Sequence, residues 1–558
     1  MNSVLQSFTD ISVLAVVFFL SFFLSFVCTP TSNKLAKLLG IIDSPCPRKI
    51  HETCVPSIGG IAMAVPLFLV AIFFIEWGAE ILGFLSGAII VFLAGVVDDK
   101  VNLSPKYKLL LQISAVASFI FFGGVYLQDF GDVLGTGPIF FDAAGPVLTL
   151  IAMVGVINSF NLSDGLDGLA AGMSAIACLF FIPFAYAQDN WTYLIILVSL
   201  LGTIIAFLRF NTYPAKLFMG DSGSLLLGFV MAASAVVLTQ THASAKGYQP
   251  ISALIILSLP VADTLYVMFK RILSGRSPVL PDKIHLHHRL MRIGLSHQLT
   301  VSSIYCFMLG MGVLAWVIRP MPEYWQFYLI LTIYVFLYFF LYMAEQKTVK
   351  KNKRLGFNLH LKPQGKVKEK ILYWTAEKSK IFFVFFIIFF LGGCVFTPAL
   401  GSTFNFYILF VLLSVLFLFP WRGEIRVAGI AHAVIFFALY SMILSQNVAY
   451  DDFWHDIYLF ILSGSALIWV FFRVMNTRRI RVLWPGSFEI LLIGMAMVFP
   501  IILHYSVFLG FDFRWQMWVS FFQVLPLYLL IKVYLRRNLT KLRYLALFIF
   551  ICLVILLV

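Results

Sequence analysis

Four short polar segments interrupt an otherwise apolar chain: VVDDKVNLSPK from Val96, NSFNLSDGLDGLAAG from Asn158, FNTYPAKLFMGDSGS from Phe210 and PDKIHLHHRL from Pro281. Each carries Asp, Asn or His, and the charge pattern described below puts all of them on one side of a membrane. Carboxylates, amides and imidazoles gathered at one bilayer surface point to a metal-assisted reaction on an anionic substrate, carried out where a lipid can reach it.

The adjacent acids Asp98 and Asp99 end an apolar run. Two neighbouring carboxylates repel unless a cation or proton lies between them, although a solvated helix end would also carry them. In the second segment Asn158, Asn161, Asp164 and Asp167 recur every three residues, which lines them along one side of a helical or near-helical turn. Gly165, Gly168 and Gly172 leave room beside them for a ligand or a second helix. In the third, Asp221, Ser222 and Ser224 open the next apolar run. Backbone N–H groups at a helix start favour phosphate, and an Asp oxygen can hold Mg²⁺ against phosphate oxygens, with Lys216 adding positive charge nearby. Simple capping of that helix by Asp221 or Ser222 is the plainer reading of the same residues. His285, His287, His288 and Arg289 form the fourth group; the surrounding oxygen-rich motifs and cations suit diphosphate recognition better than zinc. Asp263, inside an apolar run, must be paired or functional, with Lys270 or Arg271 within snorkelling reach.

These groups need a scaffold, and composition says which. The chain of 558 residues is 61% apolar and only 12% charged, outside the range of soluble globular domains. The expected fold is all-α: a polytopic transmembrane helical protein with about eleven spans in the first part and about seven more downstream of residue 380. The first eleven are expected near residues 11–29, 58–75, 81–97, 107–125, 146–158, 169–187, 193–208, 223–241, 251–270, 300–318 and 326–344. The N-terminus lacks a basic leader before its long apolar run, so it reads as a retained first helix. If that helix runs from outside to inside, only Lys246, Arg319 and Arg514 of the 40 Lys and Arg residues fall outside. The positive-inside rule then fixes the N-terminus outside and the polar segments in the cytoplasm. The net charge of +14 is mostly this topology signal and does not call for a nucleic-acid partner. The seven cysteines lack framework spacing, and Cys46, His51 and Cys54 lack a fourth ligand for zinc. Three regions follow: a motif-bearing domain over 1–345, a basic cytoplasmic linker over 346–379, and an accessory membrane domain of undetermined function over 380–558.

The order DD, NxxNxxDGxDGLxxG, NxxxAKxFMGDxGS and HxHHR, preceded by DSPCPRKIHETCVPSIGG from Asp43, resembles the polyprenyl-phosphate N-acetylhexosamine-1-phosphate transferases over about residues 10–345. HLHHR is similar to the branch that transfers GlcNAc-1-phosphate to undecaprenyl phosphate to start O-antigen, common-antigen or teichoic-acid glycans. It departs from the three adjacent histidines of the branch that transfers phospho-MurNAc-pentapeptide. The resemblance implies a bacterial inner-membrane enzyme in which UDP-sugar and undecaprenyl phosphate give lipid diphosphate sugar and UMP, and it allows a homodimer. It also implies Mg²⁺, or Mn²⁺, held by Asp221, with Asp98 or Asp99 either taking a proton or helping to hold the metal; a covalent Asp98 intermediate is the less favoured route. By the same resemblance Asn161 and Asp164 lie near the diphosphate and metal, Asn158 binds substrate, and Leu162, Asp167, Asn211 and Phe218 form a uridine pocket. His285, His287, His288 and Arg289 meet sugar or phosphates, assisted by Arg48, Lys49 and His51, and Lys216 contributes to substrate binding.

Other acetamido sugars on UDP (GalNAc, FucNAc, QuiNAc or MurNAc-pentapeptide) would undergo the same chemistry. A transporter would place its polar residues near the bilayer midplane, where only Asp263 qualifies. A CDP-alcohol phosphotransferase would show a single-helix array of spaced Asp residues, which the chain lacks. His432, Glu489 and His504 give no reason to be joined into a second site.

Overall fold

The structure, a computed structural model, describes residues 2–39, 42–43, 55–57, 59–240, 249–275 and 284–354, together with Leu491. All of these fall in the first of two compact units, which includes Met1–Phe357. The segment holding Arg48, Lys49 and His51, and nearly all of the expected accessory domain, lie outside the described residues.

Thirteen helices follow one another among the described residues: α1 Asn2–Leu39, α2 Gly60–Phe74, α3 Ala79–Val101, α4 Pro105–Gly123, α5 Gly145–Ser163, α6 Leu169–Ala187, α7 Trp191–Asn211, α8 Gly220–Gln240, α9 Pro250–Ile256, α10 Ser258–Leu273, α11 Leu286–Arg292, α12 His297–Val317 and α13 Glu323–Arg354. Each of the eleven expected spans corresponds to one of these, or to the pair α9 and α10. Among the described residues, eight helices are long and apolar enough to cross a membrane, or nine if the bent pair counts as one span. The chain is a multi-pass membrane protein. The only extended structure among the described residues is a two-residue antiparallel pairing of Ile42–Asp43 with Val55–Pro56, plus isolated bridges.

Helices α6, α7 and α8 make the buried centre, and the others pack around them. Close crossings rely on small residues: a Cβ on Gly60 or Gly95 would run into the backbone at Ser222, so α2 and α3 both press against the start of α8. Across the α1–α7 contact, Ser21 and Ser199 share a hydroxyl hydrogen bond of 2.8 Å, and the Ser25 hydroxyl donates to the Thr203 carbonyl at 3.1 Å. In an apolar interior such polar pairs give the packing a register.

The pair α9 and α10 is bent by 78°. Pro260 has no N–H for the ladder at this point, and the Ser258 hydroxyl donates to the Ile255 carbonyl at 2.6 Å, so the helix cannot continue straight. Beyond the bend, α10 buries Asp263, Thr264, Val267 and Arg271 on one face. Leu265, Phe269, Ile272 and Leu273 are exposed.

Candidate active site

The C-terminal end of α3, the α5–α6 turn, the α7–α8 loop and α11 meet at one end of the bundle. The centre of the meeting is the start of α8. Gly220 takes a left-handed φ of 75°, and a Cβ there would meet the Asp99 carboxylate. This lets both Asp99 oxygens accept the first N–H groups of α8, from Asp221 at 2.7 Å and Ser222 at 3.1 Å. Asp99 therefore caps a helix from another element, satisfying donors that a helix start leaves unpaired.

Asp98 is buried and accepts the Leu103 N–H at 2.7 Å and the Lys108 ammonium at 2.9 Å. Lys108, in the first turn of α4, also donates to Asp221 Oδ1 at 2.7 Å and to Asn161 Oδ1 at 3.3 Å. The Asn161 amide in turn donates to Asp221 Oδ1 and, at 2.8 Å, to the Ser224 hydroxyl. One lysine thus ties three of the polar segments together. Asn158 stands back from this centre, exchanging amide hydrogen bonds of 2.8 and 3.1 Å with buried Gln112, and so joins α4 to α5.

Asp164 ends α5 and is pushed up to about 8, first by removal from water and then by the Asp221, Asp99 and Asp167 carboxylates around it. Of the five acids gathered here, Lys108 bonds Asp98 and Asp221. Among the described residues no three His, Cys, Asp or Glu side chains are drawn together as a ready cage for a metal. Mg²⁺ seldom needs one, because it takes one or two carboxylates and completes its shell with substrate phosphate and water. Oxygen donors in a crowded acidic setting fit that cation, with Asp221 and Asp98 as the residues that would hold it.

The neighbouring loop has its own order. Asn211, buried, accepts the Gly168 N–H at 3.0 Å and donates to the Leu217 carbonyl at 3.0 Å, clamping the start of α6 to the α7–α8 loop. Asp167 accepts the Ala215 N–H at 2.9 Å, and its own N–H donates to His297 Nε2 at 3.2 Å. His297 stacks on exposed Tyr213, with ring centroids 4.4 Å apart. The Phe218 backbone pairs with Pro56 and Gly59 at 2.8 and 2.9 Å, which places the end of the first loop beside α8. Lys216 and the Phe218 ring are half-buried on this loop, whereas Leu162 is exposed on α5.

The histidine segment completes the arrangement. His287 is buried and fills the space that a Cβ on Gly165 would need, so its imidazole lies directly against the acidic DGLDG turn. Burial, followed by His288, His285 and His297, holds its pKa well below the ordinary imidazole value, so it is neutral near pH 7. The His287 and His288 rings lie 4.2 Å apart. Arg289 faces inward: Nε and Nη2 donate to Glu345 on α13 at 3.1 and 2.9 Å, and its guanidinium lies over the Tyr266 and Tyr338 rings. Asp263 meets His285 Nδ1 at 2.9 Å and the Leu286 N–H at 2.8 Å; Lys270 lies instead over the Tyr266 ring.

Sequence reasoning missed Lys108, Glu345, Gln112 and His297. Lys108 alone left a local sign: a cation in a first helical turn opposes the helix dipole and so calls for a carboxylate partner.

The chain is similar in sequence to known proteins. Residues 81–239 match glycosyl transferase family 4. The chain is 32% identical over 325 residues to the probable undecaprenyl-phosphate N-acetylglucosaminyl 1-phosphate transferase of Bacillus subtilis, covering 58% of this chain and 90% of that protein. It is 28% identical over 321 residues to the undecaprenyl-phosphate alpha-N-acetylglucosaminyl 1-phosphate transferase of Escherichia coli K12, covering 56% and 85%. It is also 32% identical over 330 residues to the decaprenyl-phosphate N-acetylglucosaminephosphotransferase of Mycobacterium tuberculosis H37Rv, covering 54% and 81%. With four motifs drawn to one end of a helical bundle and relatives matched over most of their length, the chain belongs to glycosyl transferase family 4, the polyprenyl-phosphate N-acetylhexosamine-1-phosphate transferases.

Proposed function

We propose that the protein transfers GlcNAc-1-phosphate from UDP-GlcNAc to undecaprenyl phosphate at the cytoplasmic face of a bacterial inner membrane, releasing UMP. The observation that carries this reading is the Lys108, Asp221, Asn161 and Asp98 cluster, which joins the polar segments at one end of a membrane-spanning bundle. The names of the relatives support the donor and acceptor classes. Asp263, the residue that a midplane transport site would need, pairs instead with the histidine segment of the same cluster, which favours the enzyme reading.

The reaction joins two anions. An oxygen of the lipid phosphate attacks the sugar-linked phosphorus of UDP-GlcNAc, the bond from that phosphorus to the bridging oxygen breaks, and UMP leaves with the bridging oxygen. The second pKa of a phosphate monoester is about 6, so the nucleophile is largely a dianion at neutral pH and needs placement more than a strong base. Asp98 is held by the Leu103 N–H and by Lys108, and direct attack by the lipid phosphate needs no covalent intermediate on it. Lys108 counters charge at the diphosphate, and the Asn161 amide orients Asp221. Mg²⁺, held by Asp221 with Asp98, would supply charge neutralisation at the diphosphate and an easier UMP departure. Phe218, Asp167 and Lys216 border the loop assigned to the nucleotide, with Asn211 fixing its shape. The three histidines are the residues proposed to meet the sugar or phosphates, while Arg289 holds α11 in place from behind.

Purified full-length protein given radiolabelled UDP-GlcNAc and undecaprenyl phosphate is expected to form labelled lipid with stoichiometric UMP. EDTA should stop the reaction and Mg²⁺ restore it, and Asp221→Asn should insert normally yet remain inactive. Silence with UDP-GlcNAc but turnover of UDP-GalNAc or another UDP-acetamido sugar would move the sugar assignment; silence with all of them would overturn the reading.

A further inference from the structure

We propose that Asp263 is a positioning residue for the proposed transfer, fixing His285 as its Nδ1–H tautomer and holding the first turn of α11 so that the imidazoles face the acidic turn. The inference rests on the transferase reading given above.

Asp263 lies on the inner face of α10, six per cent exposed, in an apolar span where a lone acid is costly. Its two oxygens have different partners. Oδ1 accepts the Leu286 N–H at 2.8 Å, with the Tyr338 hydroxyl donating at a long 3.5 Å, and Oδ2 faces His285 Nδ1 at 2.9 Å. A carboxylate that accepts on both oxygens takes the imidazole proton at Nδ1, and a ring with one proton then presents Nε2 as a lone pair. This is the arrangement by which a carboxylate sets the tautomer and ring plane of a working histidine in many sites.

The ring so fixed is nearly parallel to that of His287, at 9° with centroids 5.9 Å apart, and His287 in turn fills the space beside Gly165. Asp263 therefore sets the first member of a row of imidazoles whose second member touches the turn between Asp164 and Asp167. A staple that merely held α10 to α11 could use the Leu286 N–H alone. The bond to Nδ1 adds control over which nitrogen of His285 carries the proton.

The test uses full-length protein in lipid nanodiscs. Asp263→Asn keeps the size and one acceptor, and should lower kcat about 10–100-fold with KM for UDP-GlcNAc within about threefold. His285→Ala should lose at least as much, and the double variant should be no slower than His285→Ala. Asp263→Asn within about twofold of wild type, or a double variant whose loss is the product of the two single losses, would overturn the proposal. Nitrogen-15 spectra of histidine-labelled protein give a second readout that does not depend on turnover. The signal absent from His285→Ala should show Nδ1 protonated in wild type and lose that preference in Asp263→Asn. An Nε2–H tautomer in wild type would overturn the proposal even where Asp263→Asn fails to insert. Absence of lipid product from wild-type protein would instead strike the transferase reading, leaving the spectra to decide the tautomer.

Discussion

Lys108 shows how one side chain can organise a site whose other members are visible in the sequence. It donates to Asp98, Asp221 and Asn161 at once, and its removal would leave buried Asp98 facing the Asp221 carboxylate. Lys108→Met is expected to lower transfer by about 100-fold or more, the scale seen when one preorganised charge donor is lost, with Lys108→Arg retaining part of the rate. Steady-state kinetics of the two variants checks this, and an active Lys108→Met would remove Lys108 from the machinery. Asp164 gives a prediction in stability. Held at about 8 instead of the ordinary 3.8, it keeps a proton in the folded state that the unfolded chain releases. Its contribution to stability therefore falls as pH rises from about 4 through about 8. Metal-free protein should lose melting temperature between about pH 6 and pH 8, and Asp164→Asn should flatten that slope. The acids, amides and histidines were legible in the sequence because polar residues stand out in an apolar chain. Their partners were not: Lys108 and Asp221 are 113 residues apart, and no local pattern reports such a pairing.

At the scale of elements, the sequence located the long apolar helices of the motif-bearing region because hydropathy reads partition into lipid directly, but not the short polar α11. It could not show the break between α9 and α10, since Pro260 alone does not say whether a span kinks slightly or turns by 78°. Nor could it show that Arg289 turns inward, because its partner Glu345, on α13, lies 56 residues downstream. That ion pair makes a prediction about how α11 is held. Arg289 is two per cent exposed and lies over two tyrosine rings, so Glu345→Ala would strand a buried charge at about 3–5 kcal/mol. Thermal unfolding should show a large loss for Glu345→Ala and a smaller one for the paired replacement Arg289→Met with Glu345→Leu. Equal losses would mean that the pair does not hold the helix.

For the whole molecule, the described residues carry the complete set of motifs, apart from the segment with Arg48, Lys49 and His51. A chain ending after Arg354, where α13 stops, is expected to retain metal-dependent transfer when inserted in a bilayer. Loss of transfer in a stably inserted truncation would assign the downstream region a part in the reaction. The proposed orientation has a matching observable: reagents confined to the outside should reach Lys246 and leave the Lys108 end of the bundle untouched. The amphipathic layout of α10 bears on the whole as well. Its polar face points into the protein and its greasy face points out, the reverse of a soluble surface helix. Leu265, Phe269, Ile272 and Leu273 form the apolar surface that α10 offers to a bilayer, so surrounding lipid is expected to complete that helix's packing. Stripping annular lipid with detergent should slacken the Asp263 to His285 register and lower transfer well before the bundle melts, and adding lipid back should return it. In this sense the membrane is a structural subunit of the catalyst as well as the source of its acceptor.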